Sequence, residues 1–149
     1  MSDARNDCFY VDVDIPPTIN VANYYLSTVF GEKAVTDEVL TTWADRFLAR
    51  EGFLSNVRKR PVPHEGQFRI AGYFYYYGIY YFTESVRLLP KEKHAAYAEK
   101  LATLLLEHQE KDGSWWDYPL YDYHQAYGTG YSLMALAWCR DAISNPSTQ

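Results

Sequence analysis

Apolar and polar positions along the chain recur with the 3.6-residue period of α-helices, and the amount of polar surface changes from stretch to stretch. "PPTINVANYYLSTVFG" predicts a helix over about 18–30, with Pro17 just before it and Gly31 just after. "TDEVLTTWADRFLAREGF" predicts a second over about 36–51. Thr36 can cap it, Asp37 and Glu38 suit its positive end, and Gly52 stops it. Val39, Trp43, Phe47 and Leu48 mark its apolar face. "FRIAGYFYYYGIYYFTESVRLL", about 68–88, carries rings on every side of the wheel, with Tyr73, Tyr76 and Tyr80 on one line and Phe74, Tyr77 and Tyr81 on the next. Tyrosine and phenylalanine also favour strands, but the run is too long for one and lacks period-two alternation, so a helix buried all round is expected.

"PKEKHAAYAEKLATLLLEHQEKDG", about 91–110, is the clearest amphipathic helix. Tyr97, Leu101, Leu104 and Leu105 form its apolar stripe, and Gly113 ends it. Lys93, Glu99, Lys100, Glu107 and Glu110 are expected to face water. "AYGTGYSLMALAWCRDAIS", about 127–143, is apolar on most sides. Helices with little polar surface therefore interleave with amphipathic ones. That alternation predicts an all-α array in which inner helices are sheathed by outer ones, five main helices in one domain. Residues 1–17 read as an N-terminal arm, 18–145 as the helical-repeat domain and 146–149 as a tail.

Composition narrows the function classes. The chain has 149 residues, 48% hydrophobic and 17% aromatic, which suits a folded domain with a core. Fifteen tyrosines stand out, because an apolar ring with a polar tip suits half-wet cavities and interfaces. A net charge of −5 argues against nucleic acid as a partner; the one basic cluster, "VRKRP" at 57–61, reads as a solvated loop. Cys8 and Cys139 make neither a disulfide framework nor a CxxC site, and Cys139 reads as a small core residue. The acidic start lacks the apolar run of a secretory signal, which predicts a cytoplasmic protein. "IAGYFYYYGIYYF" is too short and too rich in tyrosine to span a bilayer, so no transmembrane segment is expected.

The pattern also repeats. "WADRFLAREGF" aligns with "YAEKLATLLLEHQEKDGSW", and "TINVANYYL" parallels "TGYSLMALA". Thr18 and Thr129 lie 111 positions apart. The period is roughly 55 residues, within the range of helical-pair repeats. "LLLEHQEKDGSW" resembles the Q-x-x-D-G-S-W repeat of the squalene cyclase and prenyltransferase superfamily. "YGTGYSLMALA" resembles the inner helix that follows that motif, and "AGYFYYYGIYY" the tyrosine-rich inner helix of bacterial proteins with such repeats. The resemblance covers about Gly66 to Cys139. It implies a terpenoid cyclase-like α/α toroid. It also implies structural roles for Gln109, Asp112, Gly113 and Trp115: the glutamine bonds across to the end of a neighbouring helix, and the tryptophan packs over the junction. A closed toroid needs roughly twice these helices, so repeat arithmetic predicts half a ring, either a fragment of a longer chain or a homodimer.

Chemistry is sparse. Cyclases of the superfamily that protonate their substrate use D-x-D-D. Asp12 and Asp14 are followed by Ile15, so the match stops one residue short, and an exposed acidic arm is the plainer reading. The superfamily's protein prenyltransferases bind zinc through Asp, Cys and His. Asp122 and His124 show a D-x-H spacing, but the order departs from the family pattern, so surface loop residues and no metal or cofactor are expected. His64 and Glu65 also read as loop residues, and His124 is the remaining catalytic candidate, beside Tyr123 or Tyr127. Tyr73, Tyr76, Tyr77, Tyr80, Tyr127 and Tyr131 can line a cavity; inter-helix packing is the plainer account of them.

Three classes remain open. A non-catalytic module binding a small apolar molecule, a glycan or a partner on an aromatic concave face comes first. An isoprenoid cyclase or prenyltransferase-like enzyme comes second, and a carbohydrate-active toroid third.

Overall fold

The computed structural model describes residues 36–57, 59, 75–118 and 123–145. Among them are four α-helices, one short 3-10 turn and no strand, so the fold is all-α. The helices are α1 (Asp37–Val57), α2 (Tyr75–Arg87), α3 (His94–Glu107) and α4 (Tyr123–Ser144), with the 3-10 turn at Lys91–Lys93. The helix expected over 18–30, Asp12, Asp14, Tyr73, Asp122, His64 and Glu65 lie outside the described residues.

Thr36 caps α1 as its sequence predicts, its Oγ1 accepting the Val39 N–H at 3.3 Å. The helix then runs through Gly52 to Val57 rather than stopping there. No side chain lies within reach of Gly52, so glycine costs the helix only propensity at that position. The inward face also differs by one position. Leu40 and Ala44 are buried, with Phe47 and Leu48 packed against the core, whereas Val39 points outward at 39% exposure. A period of 3.6 makes neighbouring positions hard to separate when both are apolar.

Only Arg87 of α2 is exposed, and the remaining residues are buried or half-buried, as a helix ringed with rings requires. Pro90 ends the run after Leu89, and the 3-10 turn leads into α3. The stripe of α3 is the one its spacing predicts: Tyr97, Leu101, Leu104 and Leu105 are all buried, and Glu99, Lys100 and Glu107 face water. Two residues expected in water are engaged instead. Lys93 Nζ donates to Thr41 Oγ1 at 2.9 Å, and Glu110 pairs with Lys59.

α2 packs against α1, and α4 lies against both α2 and α3. Phe47 of α1 stacks on Phe82 of α2 with centroids 4.8 Å apart, and Tyr97 of α3 sends its hydroxyl to Asp45 of α1 at 2.7 Å. Burial, reinforced by that carboxylate, holds the Tyr97 phenol well above its usual pKa. Cys139 sits in the core at 1% exposure, and burial pushes its thiol up to about 12. α4 begins at Tyr123, four residues earlier than its apolar pattern suggests. It buries Gly128, Ser132, Ala135 and Cys139 on one side and leaves Leu133 and Met134 more than half exposed on the other. Among the described residues no helix is long and apolar enough to cross a membrane.

Candidate functional site

The connection between α3 and α4 is built around Trp115. A helix C-terminus leaves carbonyls without partners, and the chain answers within a few residues. His108 turns its N–H back onto Leu104 and Leu105, and Gly113 takes a φ of +86° that a side chain would strain. Gln109 Nε2 donates to the Gly113 carbonyl at 3.0 Å, so it braces its own turn rather than crossing to another helix. Gln125 of α4 does the crossing, donating to Asp112 Oδ2 at 3.0 Å and Ser114 Oγ at 2.9 Å. Asp112 also accepts the Ser114 hydroxyl and N–H, and these bonds hold its carboxyl below the usual range. Trp115, 2% exposed, packs over the junction and donates its indole N–H to the Leu105 carbonyl at 2.7 Å. Its backbone N–H bonds Thr129 Oγ1, whose hydroxyl returns to the Trp115 carbonyl. The contact is close because residue 128 is glycine: a Cβ there would stand 2.7 Å from the Trp115 carbonyl oxygen.

Two residues further on, Asp117 is fully buried. Its Oδ1 pairs with His124 Nδ1 at 2.8 Å, and its Oδ2 accepts the Tyr127 hydroxyl and, at 3.3 Å, the Tyr76 N–H. Tyr76 belongs to α2, so this bond ties that helix to the α3–α4 connection. Burial pushes the Asp117 carboxyl up from its usual pKa, opposed by the Tyr127, His124 and Tyr76 hydrogen bonds. Tyr127 is raised in turn, by burial first and by the Asp117 carboxylate second. Lys59 closes the cluster from outside. Its N–H donates to the Asp117 carbonyl, its ammonium pairs with Glu110, and the same ammonium stands 4.3 Å from the centroid of Trp116.

From this cluster a file of rings runs between α2 and α4. His124 meets Tyr118 at 5.5 Å and Tyr127 at 5.2 Å, and Tyr127 meets Tyr131 at 5.6 Å. Tyr131 lies 4.9 Å from Tyr80 at an interplanar angle of 30° and 6.4 Å from Tyr77. Tyr81 contacts both Tyr77 and Tyr80 edge-on. Tyr77, Tyr80, Tyr81, Tyr127 and Tyr131 are half-buried, each keeping part of its surface open.

The structure therefore brings four of the six expected wall residues together: Tyr77, Tyr80, Tyr127 and Tyr131. Tyr76 does not line an open face; it is wholly buried and belongs to the core. His124, expected in a surface loop, lies in the first turn of α4 at 4% exposure, because Asp117 draws its ring inward. Among the described residues no three His, Cys, Asp or Glu side chains come together as a metal site. Asp117 and Tyr118 belong to the site without having been singled out from sequence, and Tyr81, placed on the helical wheel, joins the wall without having been expected there. The usable signal was the acid of "SWWDYP" itself, since a carboxylate among rings is buried only when it has partners. No protein-family model matches this chain, and neither a curated protein nor a solved structure is found similar to it.

Proposed function

We propose that the chain is a helical-repeat module whose α2–α4 aromatic face binds a small ring-bearing or apolar ligand by stacking. One observation carries this reading: five tyrosines on two helices touch one another yet stay partly open. Packing alone would bury them as it buries Tyr76. Rings gathered at a surface and held in place by a polar cluster fit an apolar site with a few fixed polar groups. The test is ligand-observed NMR with phenol, farnesol, tetramethylammonium and cellohexaose. At least one is expected to give a signal that Tyr131→Ala removes while circular dichroism keeps its helical shape. Silence from all four at millimolar concentration would refute the reading.

The same reading places the helices in a toroid-like array completed by a second copy. The open side of α4 supports it: from Ala126 to Cys139 that helix carries no charge, and Leu133 and Met134 stand in solvent. Sedimentation of wild type against Met134→Glu decides it, a concentration-dependent dimer that the charge dissolves being the expected result.

The cyclase-like reading has its own supporting observation, a buried carboxyl whose pKa burial raises, beside an aromatic wall. Gas chromatography after incubation with farnesyl diphosphate or squalene tests it. A cyclised product lost in Asp117→Asn is required, and no product from wild type ends it.

A further inference from the structure

We infer that the ligand of the tyrosine face is a neutral oligosaccharide, an assignment that rests on the stacking site proposed above. The core of the described part holds phenylalanine and tyrosine alike, Tyr76 with no exposure at all. Phe82 turns into the core and Phe47 packs against that core, the two stacked on each other. Tyr75 and Tyr97 are buried too, but each hydroxyl reaches a carboxylate, Glu51 at 2.6 Å and Asp45 at 2.7 Å. The partly open wall is tyrosine throughout: Tyr77, Tyr80 and Tyr81 from α2, and from α4 Tyr131 and Tyr127, whose hydroxyl is held by Asp117.

A hydrocarbon gains nothing from phenol hydroxyls. Covering them with isoprene units would strip their water and return no hydrogen bond, at a cost that phenylalanine would avoid. A polyol reverses that balance. The C–H face of a pyranose lies on the ring while its hydroxyls exchange hydrogen bonds with the phenol rim. Tyr80 and Tyr131, 4.9 Å apart and tilted by only 30°, stack on each other from separate helices, with Tyr77 and Tyr127 edge-on beside Tyr131, and a sugar would lie on an outer face of that pair.

The charges around the wall point the same way. Glu84 stands beside Tyr80, the described carboxylate behind Tyr127 is Asp117, and Arg87 near Tyr80 is tied to Glu84 at 2.9 Å. An isoprenoid diphosphate would bring its negative charge towards carboxylates, and among the described residues the cation near Tyr80, Arg87, is already tied to Glu84. A rim carboxylate such as Glu84, in contrast, can accept hydroxyl hydrogens from a sugar.

The experiment is isothermal titration of the full chain with cellohexaose, maltohexaose, farnesol and farnesyl diphosphate in parallel. One of the two neutral oligosaccharides is expected to bind with a dissociation constant of ~1 mM or tighter. Tyr80→Phe and Tyr131→Phe, which keep the ring and the fold, are expected to weaken it at least ~3-fold each through the lost hydroxyl. Binding of farnesol or its diphosphate without either sugar overturns the oligosaccharide assignment and leaves the stacking site standing. Sugar affinity unchanged in both phenylalanine variants overturns the hydroxyl argument. Heat from none of the four ligands overturns the assignment and the stacking site together.

Discussion

Two carboxylate–tyrosine–histidine clusters meet at the first turn of α2 through consecutive residues, and they differ in everything but composition. Tyr75 sends its hydroxyl to Glu51 at 2.6 Å and contacts His108 Nδ1 at 3.0 Å, while His108 Nε2 stands 3.9 Å from the same Glu51. Glu51 and His108 each remain 17% exposed, so water shares the solvation of this cluster. Tyr76, one residue on, gives its backbone N–H to Asp117, which also holds His124 and Tyr127 with no exposure at all. The first cluster ties α1 and the end of α3 to α2. The second replaces water altogether, with a donor on each side of a buried carboxylate. Identical chemical groups therefore play unequal parts, and burial decides which part.

Removing the carboxylates should expose that inequality. Asp117→Ala removes the carboxylate that accepts from Tyr76, His124 and Tyr127 and is expected to cost ~3 kcal/mol or more in urea denaturation. A loss below ~1 kcal/mol would mean that water already reaches the cluster. Gly128→Ala attacks the same region without touching its charges. Its Cβ would meet the Trp115 carbonyl oxygen at 2.7 Å and the Tyr76 ring at 3.1 Å, so α4 must shift. A loss of about 1–3 kcal/mol is expected, with the Glu51 cluster unaffected in NMR spectra of its histidine.

The acid side sharpens the contrast further. Because burial raises the folded pKa of Asp117 above its unfolded value near ~3.9, its protonated form favours folding. That contribution is complete below the unfolded pKa and is lost as pH rises through the folded one. The stability gap between wild type and Asp117→Asn should therefore narrow on going from about pH 4 towards neutrality. A gap that widens over that range would show the hydrogen bonds outweighing burial. Glu51→Gln, in the wetter cluster, is expected to change stability by under ~1 kcal/mol, read from the thermal midpoint.

The smallest effect comes from the opposite case. Ser132 Oγ is buried on α4 with no hydrogen-bond partner, unlike the other buried side-chain polar atoms described. Ser132→Ala is expected to be neutral or to stabilise by up to ~1 kcal/mol, as thermal melting would show.

The helices were legible because their signal is local. Tyr97, Leu101, Leu104 and Leu105 repeat every three to four positions, and all four are buried. Thr36 reads as a cap and acts as one. Gly52 misleads because an exposed glycine can sit inside a helix at modest cost, and nothing local says whether the helix will tolerate it. The site was legible only as composition. The tyrosines announce themselves, but which face they share depends on how α4 meets α2. Asp117 joins Tyr76 to His124 and Tyr127, and one of those partners lies 41 residues away. A single histidine after a loop has no periodicity to reveal that it turns inward. Gln109 and Gln125 show the same limit: both are glutamines near the turn, and only the fold says which one crosses it.

Lys59 has a consequence for the chain as a polymer. Its N–H ends on the Asp117 carbonyl, and the Tyr76 N–H ends on the Asp117 carboxylate, so one residue of the α3–α4 connection fastens two points that lie 17 positions apart in sequence. A residue that holds two distant points acts as a non-covalent cross-link. Asp117→Asn keeps the carbonyl that holds Lys59 and alters only the side chain, so the two fastenings can be separated by substitution. A run of glycine and serine inserted after Trp115 would instead separate Asp117 from the turn that positions it and loosen both at once.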